Sequence, residues 1–196
     1  MRILVIGATG TIGSAIVSAL GSEHEVLRAS QSREAHKVDI ADPQSIASLF
    51  AGVGAVDAVV CAAGQARFKP LDDLGDDDFD FCLRNKLMGQ VNLVRLGHAH
   101  LRDGGSITLT SGELSHKPIK GSAAISLVNS GLEGFVRAAA LELPRGLRVN
   151  VVSPGWVDTT LQAFGMDPSW GKPASAIAKA YLECVLGSMT GQVLSV

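Results

Sequence analysis

Short apolar runs rich in valine, isoleucine and leucine recur along the chain, separated by longer stretches whose apolar positions fall at helical spacing. The runs predict strands at 2–6, 25–29, 37–39, 55–61, 106–110, 148–152 and 192–196. The intervening patterns predict helices over 11–20, 43–51, 77–101, 122–142 and 173–186. Strands buried on both faces read as continuous apolar runs, and their alternation with helices is the signature of βα units winding a parallel sheet. The expected fold class is α/β: a doubly wound parallel sheet of about seven strands with helices on both faces, with residues 1–196 forming a single domain.

Composition agrees. A length of 196 residues suffices for one domain with a real core and falls short of two ordinary ones. An apolar fraction of 46% and a mean hydropathy of +0.26 exclude a disordered chain. Aromatic residues make up 5%, so the apolar mass is aliphatic, and the 22 glycines mark sharp turns and close backbone approaches. The formal charge of -2 gives no drive onto phosphate backbones or anionic membranes, so neither nucleic acid nor a membrane is an expected partner. Cys61, Cys82 and Cys184 are widely spaced, odd in number and form no C-x-x-C, which points away from a disulfide framework or a metal site and toward a reducing cytoplasm. The start of the chain carries no apolar segment followed by a cleavage site, and no stretch approaches the ~20 apolar residues of a membrane span.

Chemistry first enters at Gly7-Ala8-Thr9-Gly10-Thr11-Ile12-Gly13, directly after the first strand and opening the first helix. A strand, a glycine turn and a helix N-terminus present free N–H groups and a positive dipole end to a pyrophosphate. Glycine is required because a side chain would hold the backbone off the phosphate and the helix off the strand. The reading is a dinucleotide loop; the alternative is a plain glycine turn.

From here the chain resembles the short-chain dehydrogenase/reductase family over essentially its whole length, which implies a Rossmann-type fold. Gly7, Gly10 and Gly13 match that family's cofactor glycines, with Thr9, Thr11 and Ile12 between them. Asp39-Ile40 resembles the acidic dipeptide that lies along the adenine ring, and Cys61-Ala62-Ala63-Gly64 the N-N-A-G segment with both asparagines lost. Ser111 follows the fifth strand as the catalytic serine does. Pro154, Gly155, Val157 and Thr159 are similar to the P-G-x-x-x-T loop that holds the nicotinamide carboxamide. The resemblance also implies a small-molecule substrate and a homodimer or higher homo-oligomer formed through the helices at 77–101 and 122–142.

The family's proton donor is a tyrosine, with a lysine four residues on; here those positions are Ile125 and Asn129. The one tyrosine, Tyr181, lies near the end of the sequence with Val185 four residues later. In the preceding helix the family's asparagine position falls on Lys86, with Asn85 one residue off register, so lysine and asparagine have traded helices. The resulting expectation is an active site of Ser111, Lys86 and Asn129, with Lys86 also at the cofactor ribose, Ser111 donating to the developing alkoxide and Lys86 stabilising it or acting as acid. The plainer alternative is a surface lysine whose stem lies over the helix.

NAD-preferring sites carry a carboxylate at the end of the second strand, where this chain has Ser30, Gln31, Ser32 and Arg33. Hydroxyls beside a guanidinium suit a 2′-phosphate, so NADP is expected and NAD remains possible. Arg33 pointing into solvent is the alternative. The acidic run at 71–80 reads as a helix start, and His98 with His100 as diverging surface residues. His116 and Glu113, in the loop after Ser111, are candidate acids, a solvated loop histidine being the plainer reading. The segment 156–172, with Trp156, Phe164, Met166 and Trp170, is expected to cover the nicotinamide end, or else to place its tryptophans in the core. Two functions follow: an NADP-dependent oxidoreductase on a small carbonyl or alcohol with a non-standard active site, or a non-catalytic NAD(P)-binding redox sensor or regulatory module.

Overall fold

The computed structural model describes residues 1–163 and 165–196. Seven strands form one parallel sheet: β1 (Arg2–Ile6), β2 (Glu25–Ser30), β3 (His36–Lys37), β4 (Val56–Cys61), β5 (Leu101–Thr110), β6 (Arg148–Ser153) and β7 (Val193–Ser195). Their spatial order is β3-β2-β1-β4-β5-β6-β7. Every registered pair is parallel, with Ile6 at the end of β1 facing Ala29 on one side and Cys61 on the other. This is the doubly wound α/β arrangement read from the alternating pattern. The chain reverses its direction of winding between β1 and β4, so the loops leaving those strands part and open a crevice at the carboxyl edge.

The helices are α1 (Thr11–Leu20), α2 (Pro43–Val53), α3 (Asp76–Cys82), α4 (Gly89–Gly97), α5 (Ala123–Glu142), α6 (Asp158–Ala163) and α7 (Ala174–Leu186). Ile16 and Leu20 of α1 and Ile177, Tyr181 and Cys184 of α7 cover one sheet face together with Ile3, Val5 and Val60. On the other face Ile46, Phe50, Leu93 and Leu132, from α2, α4 and α5, pack against Leu4, Ile6, Val59 and Val149. All three cysteines are free and buried.

Local sequence sets the ends of these helices. Asp42 caps α2 by accepting from the Gln44 N–H, Pro43 fills its first position, and Gly54 closes it at φ 69. The acidic run is a helix start, since the Asp78 carboxylate accepts from the Gly75 N–H and three aspartates occupy the first turn of α3.

The helix expected over 77–101 is not a single α-helix. A π-helical turn, Leu83–Met88, separates α3 from α4, and a short 3₁₀ turn, His98–His100, hands the chain to β5, which begins at Leu101. The wider turn shifts the register of the side chains that follow it, which spacing at 3.6 per turn cannot show. His98 and His100 are partly buried at the surface, and the His100 ring stacks on Phe50 at 5.4 Å. No helix among the described residues is long and apolar enough to cross a membrane.

Gly97 lets α4 reach the α2 layer, for a Cβ there would overlap the buried Phe50 ring. Gly97→Ala is expected to lower the unfolding free energy by about 1–3 kcal/mol in a urea titration, because the stacked ring has little room to withdraw. A loss below about 0.5 kcal/mol would show that the ring swings aside.

Candidate functional site

The crevice at the carboxyl edge is a cavity of about 810 Å³. It is lined by Gly7, Thr9 and Gly10 after β1, Ser30 and Gln31 at the end of β2, Asp39 and Ile40 after β3, and Ala62, Ala63 and Gly64 after β4. Gly7 adopts φ 82, and a Cβ on it would stand 2.7 Å from the Ala62 carbonyl oxygen. A Cβ on Gly13 would overlap the Gly7 carbonyl. The two glycines therefore do separate work: one lets the loops after β1 and β4 touch, the other lets α1 start against the turn. The Gly7 and Ala8 N–H groups donate to the Ala29 carbonyl at 2.9 and 3.2 Å, which fixes the turn. The Ser14 N–H is bonded to the Gly10 carbonyl at 2.8 Å, so Thr11, Ile12 and Gly13 are the helix-start amides that precede it. A cavity of this size, edged by bare backbone at a helix N-terminus, fits a dinucleotide.

Ser30 is buried and its Oγ accepts from the Arg33 N–H at 3.0 Å. Ser32 and Arg33 are exposed and lie outside the lining. Asp39 uses a carboxylate oxygen to accept from the Ala41 N–H at 2.9 Å. The facing wall is one that sequence reasoning missed: Asp77, Asp80 and Phe81 of α3, then Arg84 and Asn85 of the π turn. The Asn85 Oδ1 accepts from the Gln65 N–H at 2.7 Å and anchors the loop after β4. A polar residue beside the β4 loop's glycine was the available signal; the register of the π turn hid it.

Cys61 supplies no side chain to the cavity. Its thiol is fully buried, and burial pushes it up to about 12, so it belongs to the core. Tyr181 is likewise interior: its hydroxyl meets Thr110 Oγ1 at 2.6 Å, and burial raises it above the usual phenol range.

Ser111, Lys86 and Asn129 do come together at the end of β5. Lys86 Nζ donates to the Ser111 carbonyl at 3.0 Å, and its stem packs on Gly64 in the cavity wall. It is not a surface lysine. Burial lowers it from 10.5 to about 8, against weak opposition from Cys61 and Cys82. The Asn129 Nδ2 donates to the Gly112 carbonyl at 3.2 Å, while its buried Oδ1 has no protein partner among the described residues. Gln90 fastens the same strand end, donating to the Thr110 carbonyl and accepting from its N–H at 2.8 and 2.7 Å.

Contrary to the expected donation toward a developing alkoxide, the Ser111 hydroxyl donates to Glu133 Oε1 at 3.0 Å. A hydroxyl has one proton, so this one is already committed. The same oxygen accepts from Ser115 Oγ at 2.7 Å, and Glu133 Oε2 faces His116 Nε2 at 2.8 Å and the Arg137 guanidinium at 3.9 Å. The Glu133 side chain is only 3% exposed, whereas the His116 ring is 49% exposed. His116, read as a solvated loop residue, is tied to a buried carboxylate.

The loop after β6 lies apart from the cavity lining. Pro154 accepts from the Glu113 N–H, the Gly155 N–H donates to the Val196 carbonyl at 2.9 Å, and Val157 is buried against a bridge to Lys172. Thr159 is exposed at the start of α6, and its N–H is held by the Asp158 carboxylate. In the segment expected to cover the site, Trp170 is 71% exposed and Trp156 half-buried, so core packing does not account for the former. Phe164 lies outside the described residues.

A family model described as enoyl-(acyl carrier protein) reductase matches residues 12–181. Versicolorin reductase 1 from Aspergillus parasiticus is 31% identical over 183 residues, covering 81% of this chain and 70% of its own. Among solved structures, a protein from Listeria innocua superposes with a TM-score of 0.95 at 37% identity, covering 100% of this chain and 99% of that one. A small-chain dehydrogenase in complex with NADPH superposes with a TM-score of 0.88 at 31% identity, covering 100% and 96%.

Lys86 gives a pH test. Folded near 8 and unfolded near its ordinary 10.5, it leaves the unfolded chain holding more protons between those values, so its contribution to stability rises with pH across that window. Relative to Lys86→Met, the wild type is expected to gain up to about 3 kcal/mol in urea unfolding from pH ~7.5 to ~10.5. A constant difference would mean that Lys86 titrates as an exposed lysine does.

Proposed function

The chain belongs to the short-chain dehydrogenase/reductase family, and on that premise we propose that it is an NADP-dependent oxidoreductase acting on a small carbonyl or alcohol through a rebuilt active site. The observation that carries the reading is the glycine-edged cavity at the switch between β1 and β4, whose backbone donors and volume suit a dinucleotide. The helix-start amides of Thr11, Ile12 and Gly13 would hold the pyrophosphate, and Asp39 with Ile40 the adenine end. Ser30, with Arg33 beside it, would take the 2′-phosphate once the arginine side chain turns in. A nicotinamide dinucleotide supplies the hydride donor or acceptor when bound.

This chain's own residues handle orientation and charge. Lys86, between the cavity wall and the Ser111 carbonyl, places a cation beside the reacting oxygen. Asn129 supplies an unpaired amide oxygen at the same spot. Pro154, Gly155, Val157 and Thr159 form the nicotinamide-end loop, and the NADPH-bound neighbour supports the choice of NADP. We also propose a homodimer, supported by Met88, Leu127 and Leu141, which are exposed on or beside the two helices that the resemblance implicates, and a cytoplasmic setting.

The test is a fluorescence titration with NADPH and NADH, then turnover against a panel of ketones, aldehydes and quinones. NADPH is expected to bind more tightly, and Arg33→Ala to narrow the NADPH/NADH affinity ratio about tenfold. Ser111→Ala is expected to lower kcat about 100-fold with coenzyme affinity retained. Binding without turnover on any member of the panel would favour a sensor, and no binding of either coenzyme at millimolar concentration would overturn the reading.

A further inference from the structure

The face of α5 that carries Ile125 and Asn129 continues, one turn on, to Glu133, since residues four apart stack on one side of a helix. That carboxylate is the one charged group buried on this face of the helix, and water does not solvate it. Burying a carboxylate is costly unless several donors meet it. Here the Ser111 and Ser115 hydroxyls both donate to Oε1, and His116 stands 2.8 Å from Oε2 with half its ring in solvent. The result is a continuous line from water, through His116 and Glu133, to Ser111 at the end of β5.

We propose that Glu133 is the proton-holding residue of this site and acts through Ser111, taking over the task that a tyrosine at position 125 would perform. The assignment rests on the oxidoreductase reading above. In alcohol oxidation the substrate hydroxyl gives its proton to Ser111 Oγ as the Ser111 proton passes to Glu133 Oε1, leaving a carbonyl compound and a neutral Glu133 carboxyl, which releases its proton toward His116 and water; a bound oxidised nicotinamide would accept the hydride that the carbinol carbon gives up. Carbonyl reduction runs the same steps backward and starts from the neutral carboxyl. The direction of the Ser111 hydrogen bond, at odds with simple donation to an alkoxide, is the ground state that this exchange needs. Ser115 keeps Oε1 in place and so positions the carboxylate.

The charged groups around Glu133 are His116 from the loop after β5 and Arg137 on its own helix. Lys86, on the packed π turn, binds the Ser111 carbonyl, and Glu113 in the same loop is paired with Lys117 at 3.7 Å.

The experiment measures turnover in both directions against pH for the wild type, Glu133→Gln, Ser111→Ala and the double variant, together with pH-dependent infrared difference spectra of the coenzyme-free protein. Glu133→Gln keeps the hydrogen-bonding shape but cannot exchange a proton. It is expected to bind NADPH within about twofold of the wild type, lose about 100-fold in kcat and flatten the pH profile. The double variant should lose no more than Ser111→Ala alone, because the two residues act in series. A protonated-carboxyl stretch should titrate in the wild type with the midpoint of the turnover profile and vanish in Glu133→Gln. A pH profile unchanged in Glu133→Gln, or losses that multiply in the double variant, would overturn the assignment and leave the oxidoreductase reading intact. NADPH binding without any wild-type turnover would overturn both. Should Glu133→Gln fail to fold, His116→Asn, altered at a half-exposed ring, is expected to move the midpoint of the pH profile, and an unmoved midpoint would overturn the assignment.

Discussion

Helix α1 can begin where it does only because nothing stands between Gly13 and the carbonyl of Gly7. That bare contact sets the helix axis against the end of β1 and aims its first amides into the gap between two diverging loops. The same turn needs Gly7 at positive φ so that its backbone can lie against Ala62. The strand order, the width of the crevice and the positive end of the helix dipole thus converge on one short stretch of main chain. Side chains contribute little to it. Its ligand is accordingly one recognised by backbone donors, and the side chains further along the edge are left to tell one nucleotide from another.

The opposite end of the cleft works by another kind of physics. There the backbone is fastened by Gln90 and Lys86, and the polar groups beside it are held out of water. The helix face that carries Ile125 and Asn129 holds no phenol and no ammonium. Its next turn brings in a carboxylate, and the loop after β5 folds down to supply donors for it. Lys86 reaches the same place from a neighbouring helix, and burial lowers it to about 8. Charge of both signs is therefore present around Ser111, contributed by elements other than those the resemblance would name.

The parallel sheet and most of its helices were legible because their apolar runs carry the period of each element; the stretch at 77–101 was not, since a π turn breaks its period, and β3, two polar residues long, leaves no apolar run. The glycine loop was legible because its spacing follows a strand directly. The tie between Glu133, Ser111 and His116 was not, since it joins residues 22 and 17 positions apart across a loop whose fold no local pattern fixes. The short helix α6 and the 3₁₀ turns are too brief to leave a periodic trace. The wall contributed by α3 was hidden for a different reason. Its aspartates were explained by the helix start alone, and charge at a helix N-terminus does not say what lies across from it.

The π turn at Leu83–Met88 carries a mechanical consequence. Asn85 grips the loop after β4 and Lys86 grips the loop after β5, from consecutive positions on one rigid rod. Helical neighbours point about 100° apart, so one rod reaches two separate loops at once. The loops after β4 and β5 therefore share a single support.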